Sequence, residues 1–470
     1  DMSRLVRPRL VHAVHRQPEQ RAGLRFRQRQ RRNPCHRRLL LTASRKQQQE
    51  SQRQAQSHHG QPNDAAMSRA SHARKCRQPI SATQVRSHTA PLGPRILYSD
   101  PVRYLFSIVV FLHGLIHLLG LVKAMGWAEL SQLKLPISRP MGLLWLLAGL
   151  LVMLAALVPM SQLWKLGVAA AIVSQVVIVC AWSDAKAGTV ANLILLIGAV
   201  YSYAAWGGSS FRAEYAREVA RVLTQVPQAA LLTEADMAHL PSPVQQYLRV
   251  SGALGKPRPT SLVARWKGRI RGGATEPWMD FTAEQVNTFG STPARLFLMD
   301  ATMKGLPTDV FHRFVDEQAT FRVRLLSLVP VVDAKGPEMT HSETVTMFND
   351  ICLLAPGRLV DPSIRWEAID GSSARAFYTQ GHETISAELH FDARGMLIDF
   401  VSDDRAAASK DGSSFVRQRW STPLTESRRY GDLLLPSTGS ALWHPKEGPS
   451  FSYIELVLLE LRYEPSAATK

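Results

Sequence analysis

The sequence predicts an α+β protein in which a four-helix transmembrane anchor precedes a curved antiparallel β half-barrel with one internal covering helix. Three observations support this prediction. Four apolar runs of bilayer length follow one another, period-two alternation begins at Ser261, and one helical stretch, Ser342–Ala355, interrupts the alternation. A helix needs about 17–25 apolar residues to cross a bilayer, whereas alternation indicates strands with one buried and one solvated face.

A strongly basic segment precedes the apolar runs. Residues 1–98 carry 21 Lys or Arg and 4 acidic residues, so almost all of the net charge of +18 comes from this segment. Gln, Ser and Arg dominate it without any apolar repeat, which predicts disorder. We interpret it first as a non-native extension, with a native disordered tail or a targeting segment as alternatives. Because aromatic residues are not interleaved with the charges, nucleic acid is not an expected partner.

The predicted transmembrane region covers residues 99–208. Trp and Tyr lie near the ends of its apolar runs, as is typical at membrane interfaces. Arg and Lys are somewhat more numerous on the side of the two termini, which predicts a multi-pass cell-membrane protein with both termini in the cytoplasm. The four Cys residues are widely separated, so no disulfide framework is expected. The four runs are Tyr104–Val122, Met141–Met160, Leu166–Trp182 and Val190–Trp206.

Two histidines, His113 and His117, lie in the first apolar run. Their spacing puts them on one helix face, as in metal-binding pairs, and ionisable residues inside a membrane are functional candidates because their burial is costly. We favour neutral histidines that form hydrogen bonds between helices, with Ser174, Gln175 or Asn192 as partners. A metal, a proton or a small polar ligand is the alternative.

Residues 209–260 are predicted to contain juxtamembrane helices and a linker. An amphipathic helix is expected to leave the membrane after Ser210, because Phe211, Tyr215 and Val219 recur at helical spacing. A short second helix is predicted at Ser242–Val250, where Pro243 suits the first turn.

Residues 261–463 form the predicted β region, with roughly ten strands, and residues 464–470 form a tail. The clearest hairpin is Thr384–Phe400, in which Met396, Ile398 and Phe400 are expected on the buried side.

The covering helix Ser342–Ala355 is predicted to begin with a capping box of Thr340 and Glu343. It is expected to act as a lid. Its apolar stripe, including Phe348 and Ile351, should lie against the concave sheet and leave room for an acyl chain.

Long phrases of the chain, including HGLIHLLG, WSDAKAGTVAN, LLSLVPVVDAKGPEM and FNDICLLAPGRLVDPSIRWE, resemble an uncharacterised family of bacterial multi-pass membrane proteins. The resemblance covers about Arg103–Tyr463 and does not include residues 1–98. The family implies no activity. The predicted topology of the β region is similar to the half-barrels that carry lipoproteins or lipids, which is an analogy of fold and not of function.

The sequence favours binding of a lipid or another amphipathic ligand in the β region over catalysis. Two alternatives stay open: a metal-dependent enzyme on a lipid-like substrate, and a membrane scaffold that recruits a protein partner. No cofactor is expected, although the enzyme alternative implies a divalent metal, and the oligomeric state is undetermined. Carboxylates of Glu338, Glu343, Asp403 and Asp404 converging within about 5 Å would favour the enzyme. The candidate ligand-binding residues are His312, Glu338, Glu343, Phe348, Asp350, Asp403, Asp404 and Arg405.

Overall fold

The computed structural model describes residues 101–224 and 230–463. It has the predicted α+β architecture, with four long apolar helices followed by a large, curved antiparallel sheet that does not close into a barrel. The basic segment 1–98 and the tail 464–470 lie outside the described residues, so the expectations for them stay predictions.

The four apolar helices are α1 (Pro101–Ala124), α2 (Arg139–Leu157), α3 (Met160–Cys180) and α5 (Gly188–Trp206), and the one-turn helix α4 (Trp182–Ala185) precedes α5. All four are long and apolar enough to cross a membrane. Their ends differ from the predicted runs by a few residues. The largest difference is at α3, which begins six residues earlier because only two residues separate it from α2.

Glycines allow α1 and α2 to pack closely. A Cβ atom on Gly149 of α2 would lie 2.9 Å from the carbonyl oxygen of Gly114 of α1, and one on Gly120 would overlap the ring of Trp145. Helices in a bilayer associate through close packing, since lipid tails are as apolar as the side chains they contact. The contact between these two helices therefore requires small residues at both positions.

The helix α6 (Phe211–Leu223) is amphipathic as predicted, but its apolar face lies on the sheet. Ser210 caps its N-terminus by accepting a hydrogen bond from the Ala213 amide. Phe211 and Tyr215 pack against Phe311 on the convex side. Two short helices follow, α7 (Glu234–Met237) and α8 (Ser242–Val250), and the second has the bounds expected from the sequence.

Sixteen strands lie within the described residues, more than the roughly ten that were predicted. Those missed include β4, which is covered on both faces and therefore lacks clear alternation. The strands are β1 (Ser261–Ile270), β2 (Met279–Thr288), β3 (Ala294–Met303), β4 (Leu306–Val315), β5 (Gln318–Leu325), β6 (Val329–Lys335), β7 (Ile364–Ala368), β8 (Ser373–Gln380), β9 (Glu383–Phe391), β10 (Leu397–Ser402), β11 (Ala406–Ala408), β12 (Phe415–Arg417), β13 (Arg419–Ser421), β14 (Leu424–Tyr430), β15 (Leu433–His444) and β16 (Phe451–Tyr463).

Fourteen of these strands form one antiparallel sheet in the order β6-β5-β4-β3-β2-β1-β16-β15-β13-β10-β9-β8-β7, with β14 beside β15, and β11 and β12 form a separate pair. The first six strands run outward to one edge of the sheet. The helix α9 (Pro337–Leu354) then carries the chain to the opposite edge at β7, and the later strands return until β16 pairs with β1. A single helix therefore connects the two free edges.

Two local predictions in the β region were wrong. The helix α9 begins at Pro337, so the expected capping box does not form: Thr340 instead accepts a hydrogen bond from the Ala319 amide, and Glu343 turns into the interior. In the hairpin of β9 and β10, the register shifts between Leu397 and Asp399. This irregularity exposes Ile398 and buries Leu397, because an extra residue reverses the alternation.

Candidate functional site

The helix α9 presents two different faces to its surroundings. On one face, Phe348 is fully buried, stacks on Tyr378 at 5.1 Å between ring centroids and contacts Phe400. Ile351 is also buried, as predicted. The other face carries polar residues at helical spacing and borders a cavity; these include Ser342, Thr346, Asn349 and Asp350. The helix is thus a partition between a filled core and an open space, rather than a lid over an empty sheet.

The cavity has a volume of about 3540 Å³. This is several times the roughly 300–1,000 Å³ of sites for drug-sized ligands. The strands β1 to β5 and β13 to β16 contribute to its wall, together with the polar face of α9. Large apolar side chains line much of it, among them Trp266, Phe297, Met299, Phe321, Trp443 and Leu456.

The lining of the cavity continues onto the four-helix bundle. Phe106 of α1 and Leu193, Ile197 and Val200 of α5 are part of the same wall. The three residues of α5 are also exposed apolar side chains, on the outer surface of a helix that is apolar enough to cross a membrane. The wall that includes the sheet therefore also includes a flank of the bundle that acyl chains could contact.

A buried charged cluster lies between the sheet and the polar face of α9. Arg295 of β3 donates from Nε to Asp350 Oδ2 at 2.7 Å and from Nη1 to Glu343 Oε1 at 3.0 Å. His312 of β4 lies beside them, with Nε2 2.7 Å from Glu343 Oε2. Since Arg295 also donates to His312 Nδ1 at 3.3 Å, that nitrogen carries a lone pair and the imidazole is neutral.

The pKa values of the cluster follow from burial and charge. Burial alone would raise the pKa of Glu343, but contact with His312 and Arg295 outweighs it and lowers this pKa to about 2. For His312, burial lowers the pKa more than the neighbouring Glu343 raises it. Glu343 is therefore a carboxylate and His312 neutral at neutral pH.

Sequence reasoning missed two amides that complete the cluster. Gln285 and Asn287 of β2 donate to Asp350 Oδ2 at 2.6 and 3.1 Å. They follow Phe281 and Ala283 on the same buried face of the strand. Two polar residues on an otherwise apolar face were the available signal, because buried amides require partners.

Arg405 approaches the cavity from the segment before β11. Its Nη1 donates to the carbonyl oxygen of Ser342 at 3.0 Å and also contacts the Thr346 hydroxyl. Its guanidinium lies over the rings of Trp420 and Trp443, 4.6 and 5.9 Å from their centroids. Within the described ranges 101–224 and 230–463, Arg405 forms no salt bridge, and its Nη2 has no hydrogen-bond partner.

The structure brings together four of the eight predicted ligand-binding residues: His312, Glu343, Asp350 and Arg405. Phe348 lies on the other face of α9. The remaining three lie apart: Glu338 is exposed and 3.7 Å from Arg417, Asp403 is exposed near Arg419, and Asp404 accepts hydrogen bonds from Ser386.

Among the residues that the structure describes, no group of three or more His, Cys, Asp or Glu residues is arranged to hold a metal ion. The convergence of Glu338, Glu343, Asp403 and Asp404 that would have favoured metal chemistry is therefore not observed. The enzyme and scaffold alternatives stay predictions.

The two bundle histidines form the predicted hydrogen bonds between helices. His113 Nε2 lies 3.0 Å from Asn192 Oδ1 and 3.2 Å from Ser174 Oγ, and His117 Nε2 lies 2.8 Å from the same hydroxyl. Asn192 donates in turn to Gln175. All three residues predicted as partners thus belong to one polar network that connects α1, α3 and α5.

Comparison with known proteins finds a family model that is similar to part of the chain. Residues 230–456, slightly less than half of the chain, match a family described as "Family of unknown function (DUF6544)". No curated protein matches the chain.

Two solved structures are similar to part of the chain. One is a "putative outer membrane lipoprotein-sorting protein domain" from Vibrio parahaemolyticus, with 12% identity and a TM-score of 0.27 over 45% of this chain and 87% of that chain. The other is a DUF1329 family protein from Desulfovibrio piger ATCC 29098, with 13% identity and a TM-score of 0.29 over 49% and 95%. These scores are too low to support an inference about function.

Proposed function

We propose that the protein is a membrane-anchored binding protein that takes up a lipid or another amphipathic molecule in the cavity of its β region. The four apolar helices would anchor it in the cell membrane, with both termini in the cytoplasm. The observation that carries the proposal is the continuity between the sheet cavity and the exposed apolar flank of α5, at Leu193, Ile197 and Val200.

The position of this opening favours a ligand that comes from the bilayer. A water-soluble ligand gains nothing from an opening bordered by the lipid-facing side of a helix, whereas an acyl chain would pass from there to the large apolar side chains of the cavity wall. Burial of apolar surface contributes roughly 25 cal/mol per Å². A wall built from residues such as Phe297, Met299 and Leu456 therefore suits an acyl chain.

The distribution of polar groups favours an amphipathic ligand. The wall of the cavity is largely apolar, and it also carries polar groups, among them the polar face of α9 and Arg405. Binding sites commonly combine an apolar lining with a few polar groups that fix the orientation of the ligand. A molecule with an apolar tail and a polar head matches this arrangement.

A photoreactive phospholipid would test the proposal. The full-length protein is reconstituted in vesicles that contain phosphatidylglycerol with a diazirine in one acyl chain, illuminated, digested and analysed by mass spectrometry. Labels are expected on cavity residues such as Met299 and Leu456 as well as on the outer faces of the helices. Val416, which is exposed and outside the cavity, provides the control position. Labels confined to the four apolar helices would contradict the proposal.

A further inference from the structure

We propose that Arg405 and Asn349 form a subsite for the anionic group of the ligand, so that the cavity prefers an anionic lipid to an uncharged one with the same acyl chains. This inference rests on the proposed function and specifies its substrate class. The juxtaposition that carries it is a guanidinium without a carboxylate partner and a side-chain amide, on one face of α9, at the wall of an apolar cavity.

The first step concerns the charge of Arg405. Both carboxylates of the buried cluster, Glu343 and Asp350, are directed at Arg295 and its neighbours, and neither forms a salt bridge with Arg405 in the described part of the chain. Buried or half-buried charges in proteins are normally paired, because transfer out of water is costly. Arg405 is near enough to Glu343 to help lower its pKa, and a ligand anion would provide the direct partner that Arg405 lacks.

The second step concerns the orientation of the guanidinium. The guanidinium lies over the Trp420 ring, and the hydrogen bond from Nη1 to Ser342 fixes one edge. The Nη2 group remains as a donor at the cavity wall. A guanidinium held in this way loses little conformational freedom when it binds an anion, which favours strong and geometrically specific hydrogen bonds.

The third step concerns a second donor. Asn349 follows Thr346, a contact of Arg405, by three residues, so both lie on the same side of α9 about one turn apart. The side-chain Oδ1 of Asn349 accepts a hydrogen bond from the Thr422 hydroxyl at 2.9 Å. The side-chain Nδ2 of Asn349 has no partner within the described residues. The Arg405 guanidinium and the Asn349 amide thus both lie at the same side of α9, and their N–H groups could each bind an oxygen of one phosphate or carboxylate.

The aromatic neighbours are consistent with this role. Trp420 and Trp443 keep the guanidinium in surroundings of low polarity, and both are buried. An ion pair is worth more in such surroundings than in water, since the effective dielectric constant is lower. The same rings extend the apolar wall, so the head of a ligand and the first part of its tail would contact adjacent surfaces.

Native mass spectrometry of the delipidated full-length protein in detergent would test the subsite. Equal amounts of dipalmitoylphosphatidylglycerol and dipalmitoylglycerol, which share their acyl chains and differ in the phosphate, are added together. The wild type is expected to retain the phospholipid about tenfold more than the uncharged lipid, since hydrogen bonds to a charged group are strong. Arg405→Gln should reduce this ratio about tenfold, and Arg405→Lys should keep part of it.

Arg417→Gln is the matched control, because it removes the same charge from an exposed arginine outside the cavity and should keep the wild-type ratio. The melting temperature of each variant shows whether it is folded. If Arg405→Gln does not fold, the subsite is tested by comparing the ratio of retained phospholipid to uncharged lipid in Asn349→Ala with that in the wild type. Asn349→Ala is expected to lower this ratio. An unchanged ratio in a folded Arg405→Gln protein, or a wild type that retains both lipids equally, would overturn the subsite.

Two further outcomes distinguish a failure of the proposed lipid binding from a failure of the proposed anionic subsite. If the wild type retains neither lipid and shows no photolabel in the cavity, the proposed function itself fails. Glycerol 3-phosphate, added alone, tests whether the anion needs an acyl chain, and we expect no retention. Retention as strong as that of the phospholipid would assign the site to a soluble phosphate ester and overturn the lipid inference.

Discussion

Arg295 on β3 and Asp350 on α9 are joined by a buried hydrogen bond of 2.7 Å, which connects the helix that crosses the sheet to the strand beneath it. Glu343, two turns earlier on the same helix, contacts the same guanidinium. The two carboxylates hold α9 against β3 at two points. The position of α9 therefore depends on charged contacts as well as on the packing of Phe348.

Glu343→Gln is expected to destabilise the protein by about 3–5 kcal/mol, because loss of one of the two buried carboxylates leaves excess positive charge in the cluster. The loss is measured by denaturant unfolding of the full-length protein in detergent. Glu338→Gln, on the same helix but exposed, serves as the control and should change stability by no more than about 0.5 kcal/mol. Equal effects of the two substitutions would contradict the assigned role of the cluster.

The lowered pKa of Glu343 predicts that the stability of the protein depends on pH, and the same two variants test this. The pKa of Glu343 is lowered from 4.5 to about 2 in the folded protein. A carboxyl group with a lowered pKa stabilises the folded state above its unfolded pKa, and this contribution is lost as the pH falls through the window from 4.5 to about 2. Stability of Glu343→Gln should therefore decrease less steeply over this window than that of the wild type or of Glu338→Gln. Parallel curves for all three proteins would show that Glu343 has no such effect.

Phe348→Ala should cost about 3–5 kcal/mol, from lost transfer free energy and the cavity left among Tyr378 and Phe400. Added phospholipid is expected to leave this loss unchanged, since the ligand cavity borders the opposite face of α9. Unfolding of the full-length protein with and without phospholipid measures both effects. Ile398→Ala, at an exposed position, is the control. Recovery of stability in Phe348→Ala with lipid would place Phe348 in the ligand site.

The topology of the bundle predicts the location of the C-terminus. If all four apolar helices cross the membrane, both termini lie on one side, and the excess of Arg and Lys on that side predicts the cytoplasm. A green fluorescent protein fused after Lys470 should fluoresce, and an alkaline phosphatase at the same position should be inactive. The reverse pattern would place the β region outside the cytoplasm and would leave the shape of its cavity unaffected.

Periodicity alone predicted the buried face of α9. Phe348 and Ile351 recur at helical spacing, and both are buried where the helix crosses the sheet. The partners of its polar face could not be predicted in this way. Arg295 meets Asp350 only because β3 lies beneath the helix, and that placement depends on the order of all the strands.

Strands with two covered faces were the hardest to recognise. On β4, Phe311 and Val315 pack towards α6, whereas Val310 and His312 face the cavity, so both faces are covered. The alternation that identified β9 is therefore lost. The exposure of Ile398 was mispredicted for another reason: the register irregularity that reverses the alternation has no marker in the local sequence.

The pairing of β1 with β16 also determines when the protein can finish folding during its synthesis. Leu262 lies opposite Tyr463, so the first strand of the sheet obtains its second neighbour only when the last strand has been made. Contacts between residues that are far apart in the sequence form slowly. A strand with one open edge can meanwhile pair with another chain. A ribosome that stopped before Phe451 would release a polypeptide with open edges at both β1 and β15, and this product would be prone to aggregate.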